Sequence, residues 1–315
     1  MAAPFPTPTK KWHTTTYPTL SPLRPSLSVK GKSVLITGGG TGIGAETARY
    51  FAAAGASRIA LLGRRLQPLQ ETKASIQRSH PETDVFIAAA DVTDKNSVDT
   101  AFSAFVNSNS NSSDKPQKIN ILIHAAAVIG PQEQIQTVDP DAFLSAVHTN
   151  ISGSMFVAQA FLRHMHASEN EEAVAIEINS SAAHVDFGSG AFASYSVAKL
   201  ASFRLWDALA HANRQVRVYH VQPGVVDTDM NREAGGVKAL GFEDHVSLPA
   251  SFCVWLASPE AGFLRNKFLW ANWDVDELME RKEELEQSEG LLGITLGGWP
   301  FGEERFVSSW GKGGK

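Results

Sequence analysis

A chain of 315 residues with 43% hydrophobic content can bury one large core, and a second full domain is not expected. The formal net charge of -5 leaves no basic field for nucleic acid, and no stretch approaches the roughly 18 apolar residues of a membrane span, so the expected partner is a small molecule. Cys253 is the single cysteine and sits in the apolar run SFCVWLAS, where it reads as a buried spectator in a reducing, cytoplasmic compartment.

Residues 1–29 form a proline-rich arm, with Pro4, Pro6, Pro8, Pro18, Pro22 and Pro25 and no continuous apolar region of the secretory kind. Such a segment either wraps the surface or stays disordered. Strand and helix patterns then alternate from residue 30 to 275, with strands expected over 33–37, 58–62, 85–89, 119–124, 173–179 and 217–222. Alternation of this kind predicts a single α/β domain, a doubly wound parallel sheet of about seven strands covered by helices on both faces. Long helices are expected over 141–166 and 191–213, and the polar run 107–114 reads as a surface loop. Residues 276–315 read as a further helix and a tail that covers the active site or a neighbouring subunit.

The first strand empties directly into glycines. The run VLITGGGTGIG has Thr37, Gly38, Gly40, Thr41, Gly42, Ile43 and Gly44 between strand and helix, the order in which a backbone turn approaches a pyrophosphate and offers it a helix N-terminus. A flexible turn is the alternative. Further on, Tyr195 and Lys199 are spaced i, i+4 and share a helix face, where an ammonium eases proton exchange by a phenol; a solvated surface pair is the alternative.

TGGGTGIG together with YSVAK resembles the TGxxxGIG and YxxxK motifs of the short-chain dehydrogenase/reductase superfamily, whose fold is of the Rossmann type. The resemblance covers roughly residues 33–273. It implies that Tyr195 donates the proton, Lys199 lowers its pKa, Ser181 holds the substrate oxygen, and Asn150 in HTNISG helps to hold a water linked to the lysine. Ser181 lies fourteen residues before Tyr195, where the family has about thirteen; one inserted loop residue accounts for this, and Ser180 is the fallback. For Asn150 the alternative is a mid-helix asparagine facing solvent.

The same resemblance assigns cofactor contacts to Asp91 and Val92 after the third strand, to Ala125 and Ala126 after the fourth, and to Pro223, Gly224, Val226 and Thr228 after the sixth. Asp91 has a rival role as a helix N-cap. The acidic residue that grips the ribose of NAD is expected about twenty residues beyond the glycines, yet the chain offers Arg64 and Arg65. Guanidinium groups suit the 2'-phosphate, so NADP(H) is favoured over NAD(H).

One segment departs from the family. His124, Ala125, Ala126 and Ala127 stand where NNAG is usual, which puts local geometry and cofactor affinity in question; His124 reads as a satisfied core histidine. His184, Asp186 and Phe187 and the segment 230–246 read as loops lining the substrate pocket, and Asp244 and His245 lack the clustered ligands of a metal site, so no metal is expected. FLWANWDVDEL over 268–278 resembles the end of a fungal subgroup, many of whose members are tied to secondary metabolism. Trp270, Trp273, Trp299 and Phe301 read as packing residues.

These features lead to an NADP(H)-dependent oxidoreductase acting on a carbonyl or secondary alcohol of a small organic molecule, with a homodimer or homotetramer implied by the family's use of the two long helices. A non-redox isomerase or cyclase, or a cofactor-binding regulator, is the alternative.

Overall fold

The computed structural model describes residues 3–108, 117–166, 171–185, 190–237, 241–288 and 290–295. Seven strands form one sheet: β1 (Ser33–Thr37), β2 (Arg58–Gly63), β3 (Asp84–Ala89), β4 (Ile121–His124), β5 (Ala173–Ile178), β6 (Val216–Gln222) and β7 (Phe268–Trp270). All neighbouring strands are parallel, in the order β3-β2-β1-β4-β5-β6-β7. The order reverses between β1 and β4, which opens a crevice outside the carboxyl ends of those strands.

Every residue of β1 and β5 is buried, as strands covered on both faces require. Alternate side chains feed two cores. Val34 and Ile36 point to the side of α1 (Gly42–Ala53), α2 (Leu66–Ser79) and α7 (Ser247–Ala257), whereas Leu35 joins α3 (Lys95–Asn107), α4 (Pro140–His164) and α5 (Ala193–Ala212). A short α6 (Asp229–Glu233) follows β6, and α8 (Val275–Glu280) and α9 (Lys282–Gln287) follow β7.

The expected strands are present, and the differences lie at their ends. Ile119 forms an isolated bridge with Met165 instead of extending β4, and Asn179 lies just beyond β5 with its side chain turned to the following helix. Most of the loop expected over 107–114 lies outside the described residues, as do Asp186, Phe187, Trp299 and Phe301.

The arm packs on the domain. Leu20 and Leu27 are fully buried in the core that holds α7, and Arg24 makes a forked pair with Glu260 at 2.9 and 3.1 Å. The WANWD segment receives the rest of the arm: Trp12 bridges Trp273, the His13 amide donates to the Asn272 carbonyl at 2.9 Å, and Asn272 Nδ2 returns a bond to the His13 carbonyl at 2.9 Å. Cys253 is fully buried on α7, and burial pushes its thiol up to about 12. No described helix is long and apolar enough to cross a membrane.

Candidate active site

At the end of β1 the chain turns through Gly38, at φ +69°, and enters α1 at Gly42, at φ +52°, two conformations that side chains other than glycine rarely adopt. Gly44 is glycine for a different reason. A Cβ there would lie 2.3 Å from the Gly38 carbonyl oxygen, so the first turn of α1 presses directly on the loop. Thr41 precedes α1 as its N-cap without a side-chain cap bond, and the helix N-terminus faces a cleft of about 490 Å³.

Gly38, Gly40, Thr41, Gly42, Ile43 and Gly44 line one wall of this cleft. Arg64, Arg65, Asp91 and Val92 line the end beyond β2 and β3, and Ala125, Ala126, Asn150, Tyr195 and Lys199 line the end toward β5. Pro223 and Thr228 close the remaining side. Thr37, Ser181, Gly224 and Val226 are not among the lining residues; Val226 is buried and forms an isolated bridge with Asp244. Thr37 lies beneath the loop, its Oγ1 accepting the Ala125 and Ala126 amides at 3.2 and 3.3 Å.

Asp91 is not the N-cap of α3; Asp94 is, accepting from the Asn96 amide at 2.9 Å. The Asp91 carboxylate accepts the Thr93 amide and hydroxyl at 2.9 and 2.8 Å, which hold it below the usual carboxylate range with help from the positive charge of Arg64. Arg64 is exposed at the cleft wall, and Arg65 reaches toward Asp229 at 3.9 Å.

On the opposite side, Tyr195 and Lys199 occupy successive turns of α5, with Lys199 Nζ 5.6 Å from the centre of the Tyr195 ring. Lys199 is buried and its ammonium donates to the Ile178 carbonyl at 2.7 Å, so its position is fixed by the end of β5. Asn150 is buried as well, not facing solvent. Its side chain pairs with the main chain of Val128 in both directions at 2.9 Å, pinning the loop after β4 to α4. Ser181 starts a single 3-10 turn, Ser181–Ala183, and its amide donates to Gln222 Oε1 at 3.0 Å. Ser180 caps that turn by accepting the Ala182 amide at 3.2 Å.

Gly224, at φ +91°, faces Asp244, and a Cβ there would lie 2.6 Å from Asp244 Oδ2. The same oxygen accepts the Val225 amide at 2.7 Å, and the other accepts Asn272 Nδ2 at 2.9 Å. Asp244 is thus a structural carboxylate, raised in pKa by burial, that ties the turn after β6 to the segment holding the arm. Among the described residues no group of three or more His, Cys, Asp or Glu side chains is placed to hold a metal ion. His184 accepts from the Trp270 indole at 3.2 Å, joining the loop after β5 to the end of β7.

Sequence pattern did not assign a role to Asn179 or Gln222, and it weighed Asp244 only as a metal ligand, not as the support of the Gly224 turn. Asn179 carries the only available signal, its adjacency to the serine pair; the other two act across 41 and 19 residues of sequence.

The family model described as short chain dehydrogenase matches residues 32–237. The chain is 30% identical over 291 residues to the short chain dehydrogenase/reductase AacuD of Aspergillus aculeatus, covering 92% of this chain and 96% of that one. It is also 30% identical over 286 residues to the short chain dehydrogenase citE of Monascus ruber, covering 89% of this chain and 94% of that one. Among solved structures, a putative short chain dehydrogenase from Pseudomonas syringae superposes with a TM-score of 0.67 at 26% identity, over 79% of this chain and 97% of that one. A glycine turn against a helix N-terminus, a Tyr–Lys pair at the other end of the same cleft and these likenesses agree, and the chain belongs to the short-chain dehydrogenase family as an NAD(P)-dependent oxidoreductase.

Proposed function

We propose that this enzyme interconverts a carbonyl and a secondary alcohol on a small organic substrate, with NADP(H) in preference to NAD(H). The observation that carries the reading is the buried Lys199 ammonium beside the Tyr195 ring at the end of a glycine-lined cleft. The cleft fits a dinucleotide: the Gly38 turn and the first turn of α1 approach so closely that no side chain could stand between them, and the amides of that helix start are directed at the space where a pyrophosphate would lie. A bound nicotinamide cofactor supplies or accepts the hydride.

In the reducing direction Tyr195 gives its phenolic proton to the substrate oxygen. Lys199 favours the phenolate left behind, because an ammonium nearby stabilises that charge. Ser181 donates a hydrogen bond to the same oxygen and holds it in place. Asn150, whose side chain is occupied by Val128, acts through its main chain on a water that returns a proton toward Lys199. Arg64 and, beside it, Arg65 receive the 2'-phosphate, with Asp91 at the adenine.

The pairing of α4 with α5 leaves Leu144, Met155, Val197 and Leu200 exposed, which supports self-association of this helix pair into a homodimer or homotetramer. The lone buried Cys253 supports a cytoplasmic setting. The resemblance of residues 268–278 to the end of a fungal subgroup many of whose members are tied to secondary metabolism supports a secondary metabolite as substrate.

The test is titration with NADPH and NADH by cofactor fluorescence, followed by NADPH oxidation with a panel of ketones and aldehydes. Tyr195→Phe is expected to bind NADPH and lose turnover. Undiminished turnover in that variant would refute the assignment.

A further inference from the structure

The molecule buries a carboxylate for which the proposed chemistry has no use. Glu177, on β5, is 1% exposed, and a buried charge is tolerated only where hydrogen bonds match its lone pairs. Its Oε2 accepts from His220 Nδ1 at 2.7 Å, and its Oε1 accepts from Asn179 Nδ2 at 2.9 Å and from the Ser202 hydroxyl.

An ionised carboxylate only accepts, and this sets the direction of everything attached to it. Ser202 spends its proton on Glu177, so the Ser154 hydroxyl, 2.8 Å away, must donate to Ser202. Ser154 Oγ then accepts a hydrogen bond from His124 Nε2–H at 3.2 Å. His124 is left with an unprotonated Nδ1, which accepts the Thr37 hydroxyl at 2.9 Å. Thr37 Oγ1 in turn accepts the Ala125 and Ala126 amides of the cleft wall. A second branch leaves Glu177 through Asn179, whose Nδ2 also donates to the Lys199 carbonyl at 3.1 Å.

We propose that Glu177 and His124 are positioning residues in one buried, one-way hydrogen-bond chain, Glu177 as its terminal acceptor and His124 as the relay that sets its direction. The chain crosses β5, α5, α4, β4 and β1 and holds the Ala125–Ala126 loop in register with the Lys199 turn of α5. It rests on the reading of the cleft as the cofactor site. Imidazole at 124 suits this role because it spans from Thr37 to Ser154 with one acceptor and one donor, which the methyl groups of Ala125, Ala126 and Ala127 cannot do. Burial keeps the ring neutral, as the chain requires.

Two measurements on the full-length protein test the chain. The first is the imidazole 15N spectrum, with the His124 signals assigned by their loss in His124→Asn. The wild type is expected to show a single Nε2–H tautomer. In Glu177→Gln the amide is able to donate, the direction is no longer imposed, and the Nδ1–H form should appear; Ser154→Ala should release the tautomer in the same way. An Nδ1–H ring in the wild type, or a tautomer indifferent to both substitutions, overturns the proposal.

The second is a double-mutant cycle on NADPH affinity with Glu177→Gln and His124→Asn, two neighbours across the β4–β5 register whose side chains are hydrogen-bonded to each other through Ser202 and Ser154. Coupling of about threefold or more in Kd is expected, and it should fall when Ser154→Ala interrupts the chain, leaving only the direct cross-strand interaction of the pair; coupling that Ser154→Ala leaves unchanged overturns the proposal. Additive losses overturn the proposal. If the wild type binds no NADPH, the reading of the cleft fails, and the tautomer measurement still decides the chain.

Discussion

Gly44→Ala opposes local and tertiary preference at one atom. Gly44 lies in the first turn of α1, and alanine favours a helix by up to about 1 kcal/mol over glycine, so local propensity alone predicts a more stable protein. The tertiary contact predicts the reverse. The new methyl would sit 2.3 Å from the Gly38 carbonyl oxygen, 2.8 Å from its carbon and 3.3 Å from the Gly39 nitrogen, all of them main chain with no rotamer through which to yield. Overpacking costs about 1–3 kcal/mol in general, and backbone neighbours place this case at the upper end. Subtracting the helix gain leaves a net loss of about 2 kcal/mol. Urea unfolding followed by tryptophan fluorescence should show a lower midpoint at unchanged slope. Displacing the Gly38 turn should also weaken NADPH binding by ~10-fold or more, since misplacements of about 1 Å carry such costs. A variant as stable as the wild type, or more so, would mean that the loop and helix do not approach within the 2.3 Å that the Gly44–Gly38 contact implies.

Arg64→Ala should weaken NADPH by ~10-fold while affecting NADH much less, the signature of a lost phosphate contact, measured by fluorescence titration of both cofactors. Burial holds the His124 imidazole down from 6.5 to about 4, so the unfolded chain takes up a proton at this site before the folded one does. Its contribution is therefore complete above about pH 6.5 and is lost as pH falls toward 4, by about 3 kcal/mol in all; urea unfolding across that window should be less pH-dependent in His124→Asn. Cys253, with its thiol pushed up to about 12 by burial, should resist alkylation by iodoacetamide in the native protein at pH 8 and react at the rate of unfolding; rapid native-state labelling would contradict its place inside α7. Lys199→Ala should reduce turnover and loosen α5 against β5, because its ammonium is also the donor to the Ile178 carbonyl; a fall in kcat together with a lower melting temperature is expected.

What the sequence determined by itself is whatever a few neighbouring residues decide. The β1 turn and α1 are legible because apolar run, glycines and helix follow one another within a dozen positions, and Tyr195 with Lys199 is legible because i, i+4 spacing fixes a shared face once a helix forms. The alternation of strand and helix specified a parallel sheet, since a parallel strand must be reached by a crossover. Strand ends were less legible. Asn179 continues the pattern of β5, yet its side chain is drawn to Lys199 and Glu177, neither of which strand periodicity identifies as a partner.

Tertiary structure alone decided the rest, because the partners are far apart along the chain. His124 meets Thr37 across 87 residues and Ser154 across 30, so an imidazole in place of asparagine looks like a lost motif until those contacts are seen. Asp244 becomes a support for the turn at Gly224 only when Asn272 and the Val225 amide close around it. The proline-rich arm carried no sign of where it would lie; its position follows from Trp12 and His13 meeting Trp273, Asn272 and Asp274 some 260 residues later. Hydrogen bonds at these separations depend on how the layers close, and only the folded chain brings their donors and acceptors to within 3 Å of one another.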